Sequence, residues 1–196
     1  LETLTKGACA FNLSLRTNDS VAQDSCRQWV ANVLKRIKYQ KYDLIITSAG
    51  SGFRYISDAD QNTIDPVSGL VKLWRQSLSS NTHILVIKDH PRPVSNVTDC
   101  VLRHLENPNK FCSIARSNAF LKSALPSAVD RIADPRVQLL NLDDVYCGPR
   151  ICEAVIGNVL IYRNSDYTLN SYHITNTFAN TLTNRIETAI NQIINN

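Results

Sequence analysis

The sequence of 196 residues contains no methionine and no CxxC pair. It also lacks any apolar run of the roughly 20 residues that a membrane-spanning helix needs. Because there is no methionine, residue 1 is not a translation start, and we expect the chain to be a fragment or a processed product. No signal peptide stands at the N-terminus either. The missing apolar run predicts that these residues do not themselves cross a bilayer.

The excess of basic residues is small, since 21 basic residues stand against 17 acidic ones, a net charge of +4. This excess is thin and dispersed, whereas nucleic-acid-binding domains carry a dense basic face. We therefore expect no nucleic-acid partner. Hydrophobic residues make up 43% of the chain and charged residues 19%. This balance excludes a disordered chain and allows a single domain with a sizeable core.

Cysteine, in contrast, is plentiful, with six residues. Without CxxC pairs and without histidines at zinc-finger spacing, these cysteines favour disulfides over a metal site. We expect no metal and no other cofactor. Six cysteines allow 15 pairings in principle. Short loops favour three local couples, namely Cys9 with Cys26, Cys100 with Cys112, and Cys147 with Cys152. Disulfides indicate an oxidising compartment outside the cytoplasm.

Strands and helices alternate along the chain. The continuous apolar run at residues 43–47 is typical of a strand buried on both faces of a parallel sheet. Residues 83–87 are predicted to be the next buried strand, and residues 136–140 another strand. Residues 2–6 form a shorter strand candidate. A helix is predicted from the polar cluster at residues 18–20 to about residue 38. Its apolar positions recur at helical spacing: Cys26, Trp29, Val30, Val33, Leu34 and Ile37.

Further helices are predicted from proline positions and apolar periodicity. Asp65 is expected to cap a helix that begins at Pro66. Short helices are predicted at residues 98–106, 113–124 and 127–133, linked by turns around Pro108 and Pro126. Residues 153–163 are interpreted as an edge hairpin, and a long amphipathic helix is predicted over residues 174–193. Buried strands alternating with amphipathic helices predict a parallel sheet that is covered on both faces.

In such a fold, ligands bind beyond the carboxyl ends of the strands. This rule selects the loops at residues 7–9, 48–52 and 89–91 and the stretch at residues 166–173. His173 lies in that last stretch, where an imidazole can face a cleft and act as a general base. The alternative interpretation is a surface histidine on a loop.

The loop at residues 48–52 contains a Gly-Ser-Gly sequence but not the GxSxG pattern of a nucleophile elbow. Glycine lets backbone N–H groups approach a ligand, so Ser51 and Gly52 are candidate oxyanion or substrate contacts. A tight turn after the strand is the alternative.

Several short runs, in the same order along the chain, resemble the SGNH domain that is attached to acyltransferase-3 membrane proteins of actinobacterial type. They are TKGAC at residues 5–9, CRQW at 26–29, DLIITSA at 43–49 and VIKDHPRPVSNVTDC at 86–100. NPNKFCS at residues 107–113, LDDVYC at 142–147, VLIYR at 159–163 and HIT at 173–175 continue the series. This ordered match covers nearly the whole chain, cysteines included.

The resemblance implies a three-layer α/β/α sandwich with a parallel sheet, of the flavodoxin-like, SGNH-hydrolase type. It implies one SGNH-like domain over residues 1–196 that follows a membrane acyltransferase domain in the same polypeptide. The implied function is O-acyl transfer, by expectation acetyl transfer, to a cell-envelope glycan or glycolipid on the extracytoplasmic side of a bacterial plasma membrane. The acyl group would arrive through the membrane domain.

Two departures from the family pattern concern the catalytic groups. The family's nucleophile lies in a Gly-Asp-Ser-His block upstream of the TKGAC equivalent, and the chain has no such block. Either the block lies before residue 1, or the domain has lost it. In addition, the family shows an aspartate directly after a Tyr-Arg pair and three residues before the histidine. Here Asn164 follows Tyr162 and Arg163, and an insertion separates them from His173.

The resemblance implies individual roles nonetheless. His173 would be the base, oriented by Asp166 or, less well, by Asn170, which stands three residues before it. Gly7 and Ala8, together with the loop at Ser51 and Gly52, would supply donors to the oxyanion. If the nucleophile block exists upstream, the domain is a serine-type O-acyltransferase. The alternatives are a catalytically inactive SGNH-like module that binds and positions the acceptor, and a secreted esterase.

Overall fold

A computed structural model describes residues 1–7, 9–16, 20–51, 55–56, 65–164 and 172–195, with the backbone alone at residues 15–16, 20–23 and 55–56. The chain divides into two compact units, which are described separately. Unit 1 comprises Leu1–Asp89, Lys122–Leu140 and Ile190–Asn196, and unit 2 comprises His90–Leu121 and Asn141–Ala189.

The described residues form helices and strands that are numbered here in chain order. The helices are α1 (Ser20–Gln40), α2 (Pro66–Ser77), α3 (Val97–Arg103), α4 (Pro108–Cys112), α5 (Arg116–Ala119), α6 (Leu125–Ile132), α7 (Asp143–Tyr146), α8 (Asn176–Thr181) and α9 (Thr183–Ile194). The strands are β1 (Leu15–Arg16), β2 (Leu44–Thr47), β3 (Tyr55–Ile56), β4 (His83–Ile87), β5 (Ile114–Ala115), β6 (Val137–Leu140), β7 (Ile151–Cys152), β8 (Val155–Ile156), β9 (Val159–Leu160), β10 (Tyr162–Asn164) and β11 (Tyr172–Ile174).

The centre of unit 1 is a parallel sheet in the order β2-β4-β6. Its register pairs Ile45 with Ile84 and Ile84 with Val137, so these residues share one face of the sheet. All three strands lie within the predicted strands, and the predicted α/β class with a parallel sheet is confirmed. Burial on both faces holds for β4 but not throughout β2, where the Ile46 side chain is 44% exposed.

Helices α1, α2 and α6 bury their apolar faces against one face of this sheet. The core consists of Val30, Leu34, Val67, Leu70, Val71, Leu73, Trp74, Ile84, Val86, Leu125, Ala128, Ile132 and Val137. Each fully buried large side chain contributes about 1.5–3 kcal/mol relative to an exposed one. The predicted apolar face of α1 is confirmed at Val30, Val33, Leu34 and Ile37, which are all buried.

The predicted start of α2 is confirmed. The Asp65 carboxylate accepts a hydrogen bond from the Val67 N–H at 3.1 Å, and proline occupies the first turn. Gly69, on the same helix, allows a close approach of the N-terminal chain, because a Cβ there would clash with the side chains of Asn12 and Ser14. The Asn12 amide in turn donates to the Pro66 carbonyl at 3.1 Å.

The predicted strand at residues 2–6 is wrong. These residues are irregular and exposed, and they pair with no strand among the described residues. Leu4 is the single large apolar residue of the run, so a strand here would bury little apolar surface. Polar contacts hold the segment instead, since the Glu2 carboxylate accepts hydrogen bonds from Arg36 Nε at 3.1 Å and from the Tyr42 hydroxyl.

Unit 2 contains three short antiparallel strand pairs, β5–β7, β8–β9 and β10–β11, within the part of the chain that is described. The hairpin predicted at residues 153–163 is present but shorter, as β8–β9, and its turn places Gly157 at a φ of 60°. It forms a separate two-stranded sheet and not the edge of a larger one, and Tyr162 and Arg163 belong to β10. The predicted helices at residues 98–106 and 113–124 are shorter in the structure. A turn was predicted around Pro108, but Pro108 is the first residue of α4, a position that suits the fixed φ of proline.

The long helix predicted over residues 174–193 is also incorrect in extent. Ile174 ends strand β11, and the helical segment is divided at Leu182 into α8 and α9. Thr175 marks the change, because its hydroxyl accepts from the Phe178 N–H at 3.1 Å and caps α8. His173 therefore lies on a strand and not on the predicted loop.

All three predicted disulfides are confirmed. Cys9–Cys26 fastens the N-terminal segment to α1, Cys100–Cys112 joins α3 to α4, and Cys147–Cys152 closes a short turn after α7. Across the described ranges, no helix combines the length and the apolar character that a transmembrane segment requires.

Candidate active site

The predicted base lies on a two-stranded hairpin of unit 2. Strand β10 pairs antiparallel with β11 and places Arg163 directly opposite His173. Directly opposed residues share a face of the ladder, with Cβ atoms about 5 Å apart. Both residues are exposed, whereas Tyr162, one position away, is buried. The imidazole thus lies on the exposed face of the hairpin beside a guanidinium group. Sequence reasoning did not select Arg163, because only the strand register brings it opposite His173.

Two sets of contacts in unit 2 fix the hairpin. On β10, the buried Tyr162 ring lies 5.6 Å from the His90 ring and 6.3 Å from the Tyr146 ring, measured between centroids. After β11, the Thr175 hydroxyl donates to the Leu160 carbonyl at 2.6 Å, and the Thr175 N–H donates to the Ile161 carbonyl at 2.8 Å. The backbone that carries His173 is therefore held on both strands.

Asn164 occupies the position where the family pattern shows its aspartate. Its backbone N–H donates to Thr98 Oγ1 at 3.1 Å, and its amide nitrogen donates to Asn96 Oδ1 at 3.4 Å. Because side chains alternate along a strand, Asn164 shares the face of Tyr162 and not the face of Arg163 and His173. Asn164 is therefore placed to hold the start of α3 and not to orient the imidazole.

The two residues predicted to orient His173, Asp166 and Asn170, lie outside the described residues, as do Ala8 and Gly52. Their roles remain predictions. Gly7 lies in an exposed turn, which is closed by a hydrogen bond from the Cys9 N–H to the Lys6 carbonyl at 3.2 Å. A Cβ added at Gly7 would meet no atom within 4 Å, so the backbone there is open to approach.

Ser51 connects the loops that follow two neighbouring strands of unit 1. Its backbone N–H donates to Asp89 Oδ2 at 2.6 Å, which joins the loop after β2 to the end of the segment after β4. In this conformation the Asp89 carboxylate accepts the hydrogen bond from the Ser51 N–H, the group that the predicted oxyanion contact would use. Gly7 and Ser51 belong to unit 1, and His173 belongs to unit 2.

A cavity of about 450 Å³ opens in unit 1 beyond the carboxyl end of β2. Ala49 and Gly50, of the loop predicted to bind a ligand, are among the residues that line it. Its other wall comes from the segment that leads into α6, which includes Lys122, and from α6 itself, which includes Arg131. Sequence reasoning selected neither residue. No local pattern marks these two residues, since only the packing of α2 against α6 brings them to the loop.

Two lining residues of this cavity, Asp65 and Arg131, form an ion pair. Arg131 Nη1 lies 2.7 Å from Asp65 Oδ2 and also donates to Ser68 Oγ at 2.9 Å. Burial by itself would raise the pKa of Asp65, but the hydrogen bonds from Arg131 and from the Val67 N–H outweigh it and hold that pKa below its ordinary value. Asp65 is therefore ionised at neutral pH and joins α2 to α6.

The parallel sheet of unit 1, with helices packed on it and strand-end loops that line a cavity, places the protein in the α/β class. The fold agrees with a solved structure, "Structure of Salmonella ser. Paratyphi A lipopolysaccharide acetyltransferase periplasmic domain", with a TM-score of 0.58 and 14% sequence identity. That likeness covers 91% of this chain and 68% of the other chain. Comparison with curated proteins gives no significant match.

The family described as "SGNH domain (fused to AT3 domains)" matches residues 1–188. The chain belongs to this family, as its sequence motifs predicted. Family membership supports the predicted role in extracytoplasmic acyl transfer and the predicted fusion to an acyltransferase-3 domain.

Proposed function

We propose that this domain takes part in O-acyl transfer, specifically acetyl transfer, to a cell-envelope glycan or glycolipid at the extracytoplasmic side of a bacterial plasma membrane. The match of residues 1–188 to SGNH domains that are fused to AT3 domains carries this proposal. Three disulfides suit an oxidising compartment. The acyl group would be delivered by the membrane acyltransferase domain of the same polypeptide.

The nucleophile in this proposal is a serine of a Gly-Asp-Ser-His block outside residues 1–196, carried by a strand that adds to β2. The His83 N–H donates to the Asp43 carbonyl at 2.8 Å, and alternate residues of a parallel strand direct their backbone groups to the same neighbour. The backbone groups of Leu44 and Ile46 therefore point to the other edge of β2. Within the described ranges, β2 pairs only with β4, so that edge is open to another strand.

The exposed side chain of Ile46 supports the same proposal. Parallel sheets are normally covered on both faces, yet Ile46 is 44% exposed in the middle of an apolar strand. An additional strand on this edge, with the chain that leads from it, would cover apolar surface and pair the outward backbone groups of Leu44 and Ile46.

The reaction would proceed in two steps with His173 as the base. The serine hydroxyl attacks the carbonyl carbon of the acyl donor while His173 accepts its proton, and the proton then passes to the departing group. A glycan hydroxyl next attacks the acyl-serine and gives its proton to His173, which returns it to the serine as the ester forms. Asp166 or Asn170 would orient the imidazole. Backbone N–H groups at Gly7 and Ala8 and at Ser51 and Gly52 would stabilise the oxyanion.

A second candidate is a catalytically inactive SGNH-like module that binds and positions the acceptor. The position of Asn164 favours this alternative, because the residue in place of the family's aspartate faces away from the imidazole and bonds to Thr98 and Asn96. A secreted esterase is the third candidate, and it would require the nucleophile block without a membrane domain.

These candidates differ in where the acyl group goes when the purified intact protein is given an acyl donor and a glycan. The proposed transferase should place ester-linked acyl groups on the glycan, which mass spectrometry detects before and after mild alkaline hydrolysis. Free acid without acylated glycan would contradict the proposal and indicate an esterase. Glycan binding with neither product would indicate the binding module.

A further inference from the structure

We infer that the cavity of unit 1 binds a sugar residue that carries an anionic group, either a carboxylate or a phosphate. This inference rests on the proposed function and assigns its acceptor class. The cavity lies where Ala49 and Gly50 leave the carboxyl end of β2, the edge of a parallel sheet at which ligands bind. Its volume of about 450 Å³ falls within the range of small-molecule sites.

The floor of the cavity is aliphatic. Val67, Leu70 and Leu125 line it, and each is at least nine-tenths buried. The C–H face of a sugar ring can cover such a floor, while its hydroxyl groups reach the polar rim. Ser123 and Ser127 on that rim carry hydroxyls that both donate and accept hydrogen bonds.

Hydrogen-bond donors predominate among the charged groups of the rim. Each Asp65 carboxylate oxygen already accepts a bond, from the Val67 N–H or from Arg131. Arg131 uses its Nη1 for both of its bonds, and its Nε and Nη2 donate to no group among the described residues. These nitrogens remain available to a ligand.

Lys122 adds a second cation to the rim. It forms no ion pair within the described parts of the chain, so the described charges of the cavity wall sum to one positive charge after Asp65 and Arg131 cancel. A carboxylate or phosphate on the sugar would accept hydrogen bonds from Lys122 and Arg131. A neutral sugar would leave these donors to water.

Titration of the 196-residue chain with methyl glucuronide and with methyl glucoside tests this inference, with backbone amide NMR as the readout. These probes differ only at C6, which is a carboxylate in the glucuronide and a neutral hydroxymethyl group in the glucoside. We expect the glucuronide to shift the amides of Gly50 and Leu125 and to bind more tightly than the glucoside. Lys122→Gln should weaken glucuronide binding about two- to fivefold, the range of an exposed charge pair, and leave glucoside binding unchanged. The difference should shrink as salt is added.

Lys72→Gln is the matched control, because Lys72 is exposed on α2 and does not line the cavity. It removes the same charge from the same unit and should leave glucuronide binding unchanged. Equal affinities for the two glycosides, or an unchanged glucuronide affinity in Lys122→Gln, would overturn the inference. So would an inorganic phosphate titration that shifts these amides while both glycosides do not, since that would define an anion site without a sugar. The titration involves no acyl transfer, so its failure leaves the proposed function to its own test.

Discussion

Replacing His173 with alanine in the intact protein should reduce acyl transfer to the glycan by about two to four orders of magnitude, the usual contribution of a general base. Without the imidazole, neither the serine nor the glycan hydroxyl loses its proton as it attacks. The fold should be unaffected, because His173 is exposed and lies on the outer face of the β10–β11 hairpin. The measurement is the rate at which ester appears on the glycan, together with the thermal unfolding midpoint.

His104→Ala is the matched control for this prediction. His104 also belongs to unit 2, but it lies outside the hairpin and stacks on Phe111 with ring centroids 4.2 Å apart. Its loss should leave transfer unchanged. Ser51→Ala should have a much smaller effect than His173→Ala, since it keeps the backbone N–H. Full transfer by His173→Ala would remove the catalytic role and favour the binding module.

Replacing Ile46 with proline should lower transfer in the intact protein about tenfold or more. The Ile46 N–H points to the open edge of β2, so proline removes a donor that the added strand needs and leaves its partner carbonyl without a hydrogen bond. The β2–β4 hydrogen bonds are not affected, because they use the backbone groups of Asp43, Ile45 and Thr47. Proline is tolerated on an edge strand at such a position.

Ile46→Ala distinguishes the role of the Ile46 N–H from the role of its side chain, because it keeps the N–H and removes most of the exposed apolar group. It should retain far more transfer than Ile46→Pro. In the 196-residue chain alone, both variants should change the free energy of unfolding by only about 0.5–1 kcal/mol, the low end of the range for single substitutions. Equal transfer by Ile46→Pro and wild type would show that no strand pairs with this edge of β2.

The parallel sheet and the start of α2 were predictable because local chemistry determines both. Short segments rich in Ile, Leu and Val suit the buried strands of a parallel sheet, and the Asp65-Pro66 sequence suits a helix start. The strand predicted at residues 2–6 failed because a short polar run with Leu4 offers little apolar surface, and its contacts with Arg36 and Tyr42 depend on the packing of distant segments.

The candidate site was less predictable, because its geometry depends on pairs of residues far apart in the sequence. His173 could be selected by its position before the final helices, but its place on a strand depends on pairing with β10. The same register places Arg163 opposite it and turns Asn164 to the other face. Likewise, Arg131 reaches Asp65 only through the packing of α2 against α6. Apolar periodicity contains no information about these pairings.

The most direct test of the account is the ester content of surface glycans from cells that lack the gene for the intact protein. Glycans from the deletion strain should lose a base-labile acyl group that NMR detects in the parent strain. Expression of the intact wild-type protein should restore it, and expression of the His173→Ala variant at the same level should not. Unchanged glycan acylation in the deletion strain, with no other change in ester content at the cell surface, would contradict the assignment of this domain to O-acyl transfer.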